Sequence, residues 1–507
     1  MTGVMHGEKI MLFNSYEFVF LFFPLVLVGY YICRKAGGAY RNGLFQRSLV
    51  NVFLLAVSFL FYGWSCPEYL PVLIGSMAVN YGLSWQMERG SEKKRILVIG
   101  ILINLGALAV FKYLGDGSFV PLGISFFSFT QIAFLMECYQ GQLKRVNALE
   151  YGLYVSFFPK IMQGPIALPG ELLPQLEGTV KKLDWERIYR NLYLFVLGLF
   201  KKVMIADTLG KAVDFGYANQ AALNSGDGLI VMLSYTLQLY FDFSGYCDMA
   251  MGIAGMFGIE LPLNFASPYK ASNILEFWKR WHITLTGFFT RYLYIPLGGN
   301  RRGKARTYLN CLVVFFLSGI WHGAGWQFLV WGMMHGVLFV LTRAFLEHRR
   351  ERKSEKGLEN STQGNIRQMD MVGTVRHVAG VFLTFLYVNV AWIFFRAPSI
   401  SEALNLLRTI LSGSFGRINW DLAGCFNLDE FWYVIKVLHL DSWQHAHYIL
   451  MTFILAVVLV IVFFGKNAVE FTKTVKPKAI HTVIMAVLFI WSVLSFSGVS
   501  SFLYVNF

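Results

Sequence analysis

Long runs of apolar residues recur along the chain, and short polar stretches separate them. Counted with its flanks, each run approaches the ~20 residues that an α-helix needs to cross a lipid bilayer. The pattern therefore predicts an all-α, polytopic membrane protein that forms one domain over residues 1–507, with about 11–13 transmembrane helices. We expect these helices near residues 16–33, 49–65, 71–87, 96–113, 121–139, 190–207, 229–250, 308–324, 326–345, 378–395, 448–465 and 480–497.

Two apolar stretches interrupt this pattern, at residues 150–169 and 252–306. Prolines fall inside both, among them Pro159, Pro262 and Pro296, and a proline removes a helical hydrogen bond. Broken backbone at membrane depth is tolerated only where protein buries it or where it lines a wet cavity. We therefore expect both stretches to be re-entrant or interfacial, as is typical of the working part of a membrane protein.

The composition agrees with this class, because 56% of the 507 residues are hydrophobic and only 15% are charged. A soluble domain carries roughly a quarter charged residues. The formal net charge is +14, and 34 of the 44 lysines and arginines lie in segments that share one side of the membrane if the N-terminus is outside. These segments are 34–47, 89–95, 144–145, 181–190, 270–306, 343–376 and 466–478. The positive-inside rule places them in the cytoplasm.

This orientation has three consequences. Both chain termini are expected outside the cytoplasm, and the polar residues 347–376 are expected to form a cytoplasmic loop. Membrane orientation and contact with lipid account for the positive charge. No nucleic-acid partner is expected.

Two tryptophan–histidine pairs stand 40 residues apart, Trp281-His282 and Trp321-His322. A buried imidazole needs hydrogen-bond partners that lipid does not supply, and it is the side chain best suited to exchange protons near neutral pH. His322 lies among small residues such as Gly319, which allow close approach. We predict that His322 is a general base that takes a proton from a hydroxyl and returns one to a leaving thiol. The alternative is a packed histidine bonded to a helix carbonyl.

His282 follows Lys279 and Arg280 at the expected cytoplasmic face. It is predicted to orient or polarise a donor, or otherwise to belong to an interfacial helix anchored by tryptophans. His335, on the next predicted helix, lacks a polar setting, so a structural role is predicted for it. No metal site is predicted, because His282 and His322 lack a carboxylate or cysteine at ligand spacing.

Two carboxylates, Asp242 and Asp248, lie at the end of a predicted span, and carboxylates in such places usually have a function and a partner. Six helical residues separate them by about 240°, so they do not share one face. We predict that Asp242 shapes the entrance for a donor rather than relaying protons. Lys201 and Lys202 follow an apolar helix, and either contact with a headgroup plane or phosphate binding is expected for them.

Four basic residues lie within the second break, namely Lys279, Arg280, Arg291 and Arg301. They are predicted to capture an anionic acyl donor, through the phosphates of coenzyme A or an acidic acyl-carrier protein. Contact with lipid headgroups is the alternative.

Three motifs, in this order, resemble the signature of the membrane-bound O-acyltransferase family. They are Phe277-Trp-Lys-Arg-Trp-His-Ile-Thr-Leu-Thr286, Arg291-Tyr-Leu-Tyr-Ile-Pro-Leu-Gly-Gly-Asn-Arg301 and Ser318-Gly-Ile-Trp-His-Gly-Ala324. The Leu-Gly-Gly-Asn-Arg loop is similar to the branch that serves alginate O-acetylation and the acetylation of peptidoglycan and other polysaccharides. Further matches near both ends extend the resemblance over nearly the whole chain.

The resemblance implies a helical bundle with a central tunnel, with His322 near its narrowest point and His282 as the second family histidine. It also implies an O-acetyltransferase of a bacterial plasma membrane that acts on a cell-surface polysaccharide. Acetyl-CoA or an acyl-carrier thioester is the implied donor, and no resident cofactor is expected.

The last residues, 502–507, resemble the Phe-x-Tyr-x-x-Phe ending found in these acylation systems. The resemblance implies that Tyr504 accepts the acyl group and relays it to a separate extracellular transferase of SGNH-like type. A phenol has a pKa near 10, so a base such as His322 is needed to activate it. The alternative is an aromatic anchor at the membrane interface.

Three other functions stay open at this point. D-alanyl transfer to teichoic acid is the same type of reaction and requires an acyl-carrier protein as donor. A secondary transporter or flippase with a proton relay is the alternative of another class. The two breaks have unlike sequences, whereas such transporters often contain two related halves, so the transporter is disfavoured. A non-catalytic scaffold of an export machine is the third.

Overall fold

The computed structural model describes residues 10–39, 43–114, 120–143, 145–178, 182–355, 371–428, 433, 436–439, 443, 445–498 and 502–503. Over these residues the protein is all-α and contains no β-strand. The helices are α1 (Phe23–Ala39), α2 (Gly43–Ser65), α3 (Leu70–Arg89), α4 (Lys93–Ala109), α5 (Ile124–Tyr139), α6 (Ala148–Ser156), α7 (Phe158–Ile161), α8 (Pro169–Glu177), α9 (Trp185–Phe200), α10 (Asp207–Ala218), α11 (Ser225–Met256), α12 (Ile274–Arg280), α13 (Ile283–Phe289), α14 (Lys304–His322), α15 (Trp326–Glu355), α16 (Met371–Arg396), α17 (Ile400–Leu411), α18 (Trp420–Gly424), α19 (Ala446–Phe464), α20 (Ala468–Thr474) and α21 (Ala479–Leu494).

An α-helix overlaps each of the twelve positions that the apolar runs predict. Among the described residues, six helical stretches are long and apolar enough to cross a bilayer, and two shorter apolar helices accompany them. The protein is therefore a multi-pass membrane protein. The six stretches are Glu17–Gly38, Gly43–Ser65, Lys93–Leu114, Trp326–Arg352, Gly373–Arg396 and Ala446–Phe464.

Helix α15 continues into the polar run for which the sequence predicts a loop, and it ends only at Glu355. Ion pairs account for this extension, because Arg343 binds Glu347 four residues later at 2.9 Å, and Lys304 binds Glu351. Such pairs stabilise an exposed helical face. Residues 347–355 are therefore helical, and α16 resumes at Met371. Residues 356–370 lie outside the described residues.

Both predicted breaks interrupt the helices. In the first, α6 and α7 are short, and an extended segment leads to α8. All residues from 151 to 167 are buried, which satisfies the requirement that broken backbone at membrane depth be enclosed by protein. In the second, irregular backbone follows α11, and the short helices α12 and α13 lead to a π-helical turn at Thr290–Tyr294.

The chain contains two compact units, each assembled from separate stretches of sequence. Unit 1 comprises residues 1–207, 240–263 and 468–507, and unit 2 comprises residues 208–239 and 264–467. The prediction of one domain over the whole chain stays a prediction.

Candidate active site

His322 is the last residue of α14, and its side chain is buried. Among the described residues, three aromatic rings pack around it, with centroids 4.6 Å (Trp321), 4.9 Å (Trp331) and 5.0 Å (Phe395) from the imidazole centroid. All three make edge-to-face contacts, which is a preferred geometry for aromatic pairs. The imidazole is therefore fixed in orientation by rings from α14, α15 and α16.

Glycines allow α14 and α15 to approach closely beside His322. A Cβ atom added at Gly319 would lie 2.7 Å from the carbonyl oxygen of Phe328, and one added at Gly332 would lie 2.5 Å from that of Phe315. Real Cβ atoms do not approach backbone this closely, so only glycine fits at either position. The small residues near His322 thus bring α15, and with it Trp331, against the imidazole, as the sequence predicts.

His282 lies between α12 and α13 in the left-handed backbone region, with φ 45° and ψ 52°. This conformation is uncommon for a residue with a side chain and persists only where the surroundings enforce it. Asn264 supplies that enforcement. Its backbone carbonyl accepts the Ile283 N–H at 3.0 Å, and its Oδ1 lies 3.1 Å from His282 Nδ1.

The same Oδ1 of Asn264 also accepts the backbone N–H of Thr284 at 3.2 Å and the Thr284 hydroxyl at 3.0 Å. Because a backbone N–H can only donate, this contact fixes which end of the amide faces His282. Nδ1 of a neutral His282 ring then carries the proton, and Nε2 carries the lone pair. The sequence prediction missed Asn264. Its only signal is a polar residue between Pro262 and Pro268 in a broken apolar segment.

Trp321 lies near both candidate histidines. Its ring centroid is 4.6 Å from that of His322 and 6.4 Å from that of His282. Trp321 and His282, 39 residues apart in sequence, are thus neighbours in unit 2. In the described ranges, no group of three histidine, cysteine or acidic side chains is placed to hold a metal ion.

His335 lies beyond Trp331, with ring centroids 5.1 Å apart. It is fully buried and also packs edge-to-face on Trp278 at 5.0 Å. Among the described residues, neither nitrogen of this imidazole has a hydrogen-bond partner. The ring therefore contributes to packing, in line with the structural role that its apolar setting predicts.

A local network holds α12 in place. Asn273 Oδ1 caps the helix by accepting the Glu276 N–H at 3.0 Å. The Glu276 carboxylate accepts the Ser272 N–H at 2.9 Å and the Ser272 hydroxyl at 2.8 Å, and it binds Arg280 at 2.7 Å. Burial acts to raise the pKa of the Glu276 carboxyl, but the Ser272 and Arg280 hydrogen bonds outweigh burial and lower the pKa.

The predicted donor-binding residues differ in their surroundings. Lys279 and Arg301 are exposed, whereas Arg291 is partly buried with its guanidinium 5.7 Å from the Tyr292 ring. Arg280 is held by Glu276 and also donates to the carbonyl of Ala266 at 3.2 Å. Lys279, Arg291 and Arg301 thus present charge at the surface of unit 2, and Arg280 stabilises the segment that contains His282.

A cavity of about 170 Å³ lies in unit 2, between the α13 segment, α14 and α15. Its wall includes Ser318, which precedes His322 by one helical turn, and Arg343 on α15. A cavity of this size accommodates a small apolar group. The lining residues are Trp278, Leu285, Thr286, Phe289, Thr290, Tyr294, Cys311, Val314, Phe315, Ser318, Phe339 and Arg343.

Asp242 belongs to unit 1, where it forms a buried ion cluster. The Nζ of Lys202 lies 2.8 Å from Asp242 and 2.8 Å from Asp207. On the same helix, Asp248 binds Lys201 at 2.6 Å. The expected contact of Lys202 with a headgroup plane is wrong, because two carboxylates enclose its ammonium group within protein. Tyr504 lies outside the described residues.

Comparisons with known proteins identify the family. The profile of the membrane-bound O-acyltransferase family matches residues 18–374, which include His282 and His322. The peptidoglycan O-acetyltransferase of Helicobacter pylori is 37% identical over 444 residues, or 79% of this chain and 79% of that protein. The probable alginate O-acetylase of Pseudomonas putida is 34% identical over 438 residues, or 82% of each chain.

A teichoic acid D-alanyltransferase of Bacillus subtilis is also similar, at 29% identity over 237 residues, which cover 44% of this chain and 59% of that protein. The two acetylation proteins thus match more of the chain at higher identity. The profile match and these long alignments agree with the fold, and the chain belongs to the membrane-bound O-acyltransferase family.

Proposed function

We propose that this protein transfers acetyl groups from a cytoplasmic thioester donor across the membrane for O-acetylation of a cell-surface polysaccharide. Family membership defines acyl transfer as the class of reaction. Two relatives that align with about four fifths of the chain are named for peptidoglycan and alginate acetylation, and this favours acetyl over D-alanyl transfer. We infer a bacterial plasma membrane as the location.

His322 is the proposed general base. As the hydroxyl oxygen of an acceptor attacks the thioester carbonyl carbon, the imidazole takes the hydroxyl proton. A carbon–oxygen bond forms, the tetrahedral intermediate collapses, and the carbon–sulfur bond breaks. The imidazolium then returns its proton to the departing sulfur. The products are an ester and a free thiol, and the histidine is again neutral.

His282 is the proposed accessory residue on the donor side. With its Nδ1 proton directed to Asn264, a neutral ring carries its lone pair on Nε2. The neutral ring can orient the donor by accepting a hydrogen bond at Nε2. Both imidazoles pack near the ring of Trp321, which places the two histidines in the same part of unit 2.

Acetyl-CoA is the proposed donor, with an acyl-carrier thioester as the alternative. The exposed charges of Lys279 and Arg301, together with Arg291, match phosphate groups in sign and suit charge-assisted hydrogen bonds. The cavity beside Ser318 is apolar and suits the acyl end of such a donor better than its phosphates.

Tyr504 is the proposed acyl acceptor, and it relays the acetyl group to a separate extracellular transferase of SGNH-like type. The relay requires that the Phe-x-Tyr-x-x-Phe ending lies outside the cytoplasm, which is the side that the positive-inside rule predicts for it. The identities of the relatives support a polysaccharide as the final acceptor.

The observation that carries the proposal is that both imidazoles pack near Trp321, in a chain of this family. The test replaces His322 with Ala or Gln in the producing bacterium. Ester-linked acetate on surface polysaccharide is then released by mild alkali and quantified, with membrane levels of the protein measured in parallel. We expect acetate to fall to background at normal protein level.

His377→Ala is the matched control, because this histidine is exposed on α16, and acetate should be unchanged. Normal acetate in the His322 variants would overturn the catalytic assignment. Release of D-alanine instead of acetate from the wild-type strain would replace acetyl with D-alanyl transfer.

A further inference from the structure

Lys202, Asp207 and Asp242 form a buried cluster in unit 1, with one basic and two acidic side chains. The ammonium of Lys202 faces the carboxylates of Asp242 and Asp207, each at 2.8 Å. The side chains of Lys202 and Asp242 are both 1% exposed. Burial of a charge is tolerated only where pairing and hydrogen bonds compensate for lost water. The carboxylate oxygens that Lys202 does not bind therefore require donors from protein.

Residues from the C-terminal end supply one of these donors. The backbone N–H of Leu503 donates to Oδ2 of Asp242 at 3.1 Å, across 261 positions in sequence. Phe502 is fully buried. Its ring centroid lies 5.0 Å from that of Tyr246, edge-to-face, and 4.7 Å from Nζ of Lys202. A cation above an aromatic face is attracted to the ring electrons.

The elements that carry the cluster are fixed against each other. A Cβ added at Gly198 would lie 2.6 Å from the carbonyl oxygen of Gly245, and one added at Gly245 would lie 2.8 Å from that of Gly198. The backbones of α9 and α11 therefore touch. Lys202 follows this contact in a π-helical turn, Lys201–Ala206, a feature that often occurs at functional sites.

A second pair on the same elements provides an internal comparison. Lys201 binds Asp248 at 2.6 Å, and both side chains are largely buried. Within the described part of the chain, this pair makes no hydrogen bond to residues 502–503. The two pairs therefore stabilise the same two elements, but only the Asp242 cluster also holds the chain end.

We propose that Asp242, balanced by Lys202, is a positioning residue that anchors the C-terminal segment through Leu503 and Phe502. The proposal deepens the acyl relay described above and rests on it for its role in catalysis, because Tyr504 directly follows Leu503. The anchor fixes the residue that directly precedes the proposed acceptor in sequence, and fixed positions lower the entropic cost of bringing reacting groups together.

The test measures hydrogen–deuterium exchange of the C-terminal peptide in the purified full-length protein in nanodiscs. Asp242→Ala removes the acceptor of the Leu503 N–H but leaves Lys202 paired with Asp207, so no single buried charge is stranded. Loss of one hydrogen bond predicts about tenfold faster exchange of this amide. The double variant Lys201→Met/Asp248→Leu removes the second pair without stranding a buried charge. It is the matched control and should leave exchange of the C-terminal peptide unchanged.

Phe502→Ala provides a second variant that leaves the cluster and the helices intact. It should also raise exchange of the C-terminal peptide, because it removes the buried ring next to Leu503. If C-terminal exchange in either folded variant equals that of the wild type, the anchor is overturned.

The relay is tested separately by Tyr504→Phe, which keeps the aromatic ring but removes the nucleophile. This variant should leave exchange at wild-type values and abolish acetylation. Retained acetylation in Tyr504→Phe would reject the relay, while the exchange measurements would still decide the anchor. Faster exchange in Asp242→Ala, together with a loss of acetylation that the Lys201→Met/Asp248→Leu control does not show, supports both the anchor and the relay.

Discussion

His282 Nδ1 donates to Oδ1 of Asn264 across 3.1 Å, and the two residues lie 18 positions apart in sequence. This bond determines which nitrogen of the imidazole carries the proton, and it accompanies the positive φ angle of His282. Since the same oxygen also binds Thr284 twice, one amide organises the whole start of α13. The chemistry of His282 therefore depends on a residue outside the tryptophan–histidine motif.

Asn264→Leu should reduce acetyl transfer more than it reduces protein level. The change removes the acceptor of three buried donors, and each unsatisfied donor costs about 1–3 kcal/mol. The His282 ring also loses its preferred tautomer. Acetate on surface polysaccharide, normalised to membrane protein, is the measurement. Asn389→Ala, which removes an intrahelical hydrogen bond in the same unit, is the control and should retain acetylation.

Asn264→Asp, unlike Asn264→Leu, should retain acetyl-transfer activity but change the pH dependence of that activity. A carboxylate keeps the acceptor for His282 and Thr284, and its negative charge favours the imidazolium form. If neutral His282 is the active form, the acidic limb of the pH–rate profile moves to higher pH. The measurement is the rate of acetyl transfer from acetyl-CoA in membrane vesicles as a function of pH. An unchanged profile would show that His282 does not titrate during the reaction.

Gly332→Ala should destabilise the contact between α14 and α15. Its Cβ would lie 2.5 Å from the carbonyl oxygen of Phe315, and overpacking of this kind typically costs about 1–3 kcal/mol. The shift would displace Trp331 from His322, so both the melting temperature in detergent and acetylation should fall. Gly106→Ala on α4, where the added Cβ would meet no atom within 4 Å, should change neither. Equal melting temperatures for both variants would contradict this account.

The helices were predictable because each depends on local sequence. Apolar runs of nearly bilayer length predict a helix wherever they occur, and the prolines at 159 and 262 predict the breaks. The bounds were less predictable. Helix α15 reaches Glu355 because of ion pairs at Glu347 and Glu351, and a hydropathy pattern does not register such pairs.

The candidate site was predictable only in part. A histidine in an apolar run is visible in sequence, so His282 and His322 were found. Their positioning depends on contacts between distant residues: Asn264 with His282, and Trp331 with His322. Lys202 was expected at a lipid headgroup because its position after an apolar helix is visible, whereas its carboxylate partner Asp242, 40 residues later, is not. Pairing at that distance depends on tertiary structure.

His335→Phe should retain acetylation and equal or exceed the wild type in stability. The imidazole is fully buried between Trp278 and Trp331, and its nitrogens lack partners among the described residues. A phenyl ring of similar shape removes the cost of about 1–3 kcal/mol for an unsatisfied buried polar group. Melting temperature and acetate content are measured together. Loss of acetate at a normal melting temperature would make His335 part of the chemistry.

Glu276→Gln should destabilise the protein at pH 7 and have a smaller effect near pH 4. The folded state lowers the pKa of this carboxyl. Its contribution is therefore present above the unfolded pKa of about 4.3 and is lost as pH falls through the folded pKa. Melting temperatures of both proteins at the two pH values provide the test. Glu92→Gln, which alters an exposed pair with Arg95, is the control and should have almost no effect at either pH.

The orientation deduced from basic loops predicts opposite labelling of two exposed positions. Phe415 is 70% exposed, and one predicted span separates it from each of the cytoplasmic segments 343–376 and 466–478, so it is expected outside the cytoplasm. In a variant without native cysteines, Phe415→Cys should therefore react with a membrane-impermeant maleimide in intact spheroplasts. Arg302→Cys, also exposed, should react only after the membrane is opened, since the positive-inside rule places its loop in the cytoplasm. The reverse pattern would invert the topology. It would place Tyr504 on the same side as acetyl-CoA, and a relay toward an extracellular transferase would then be impossible.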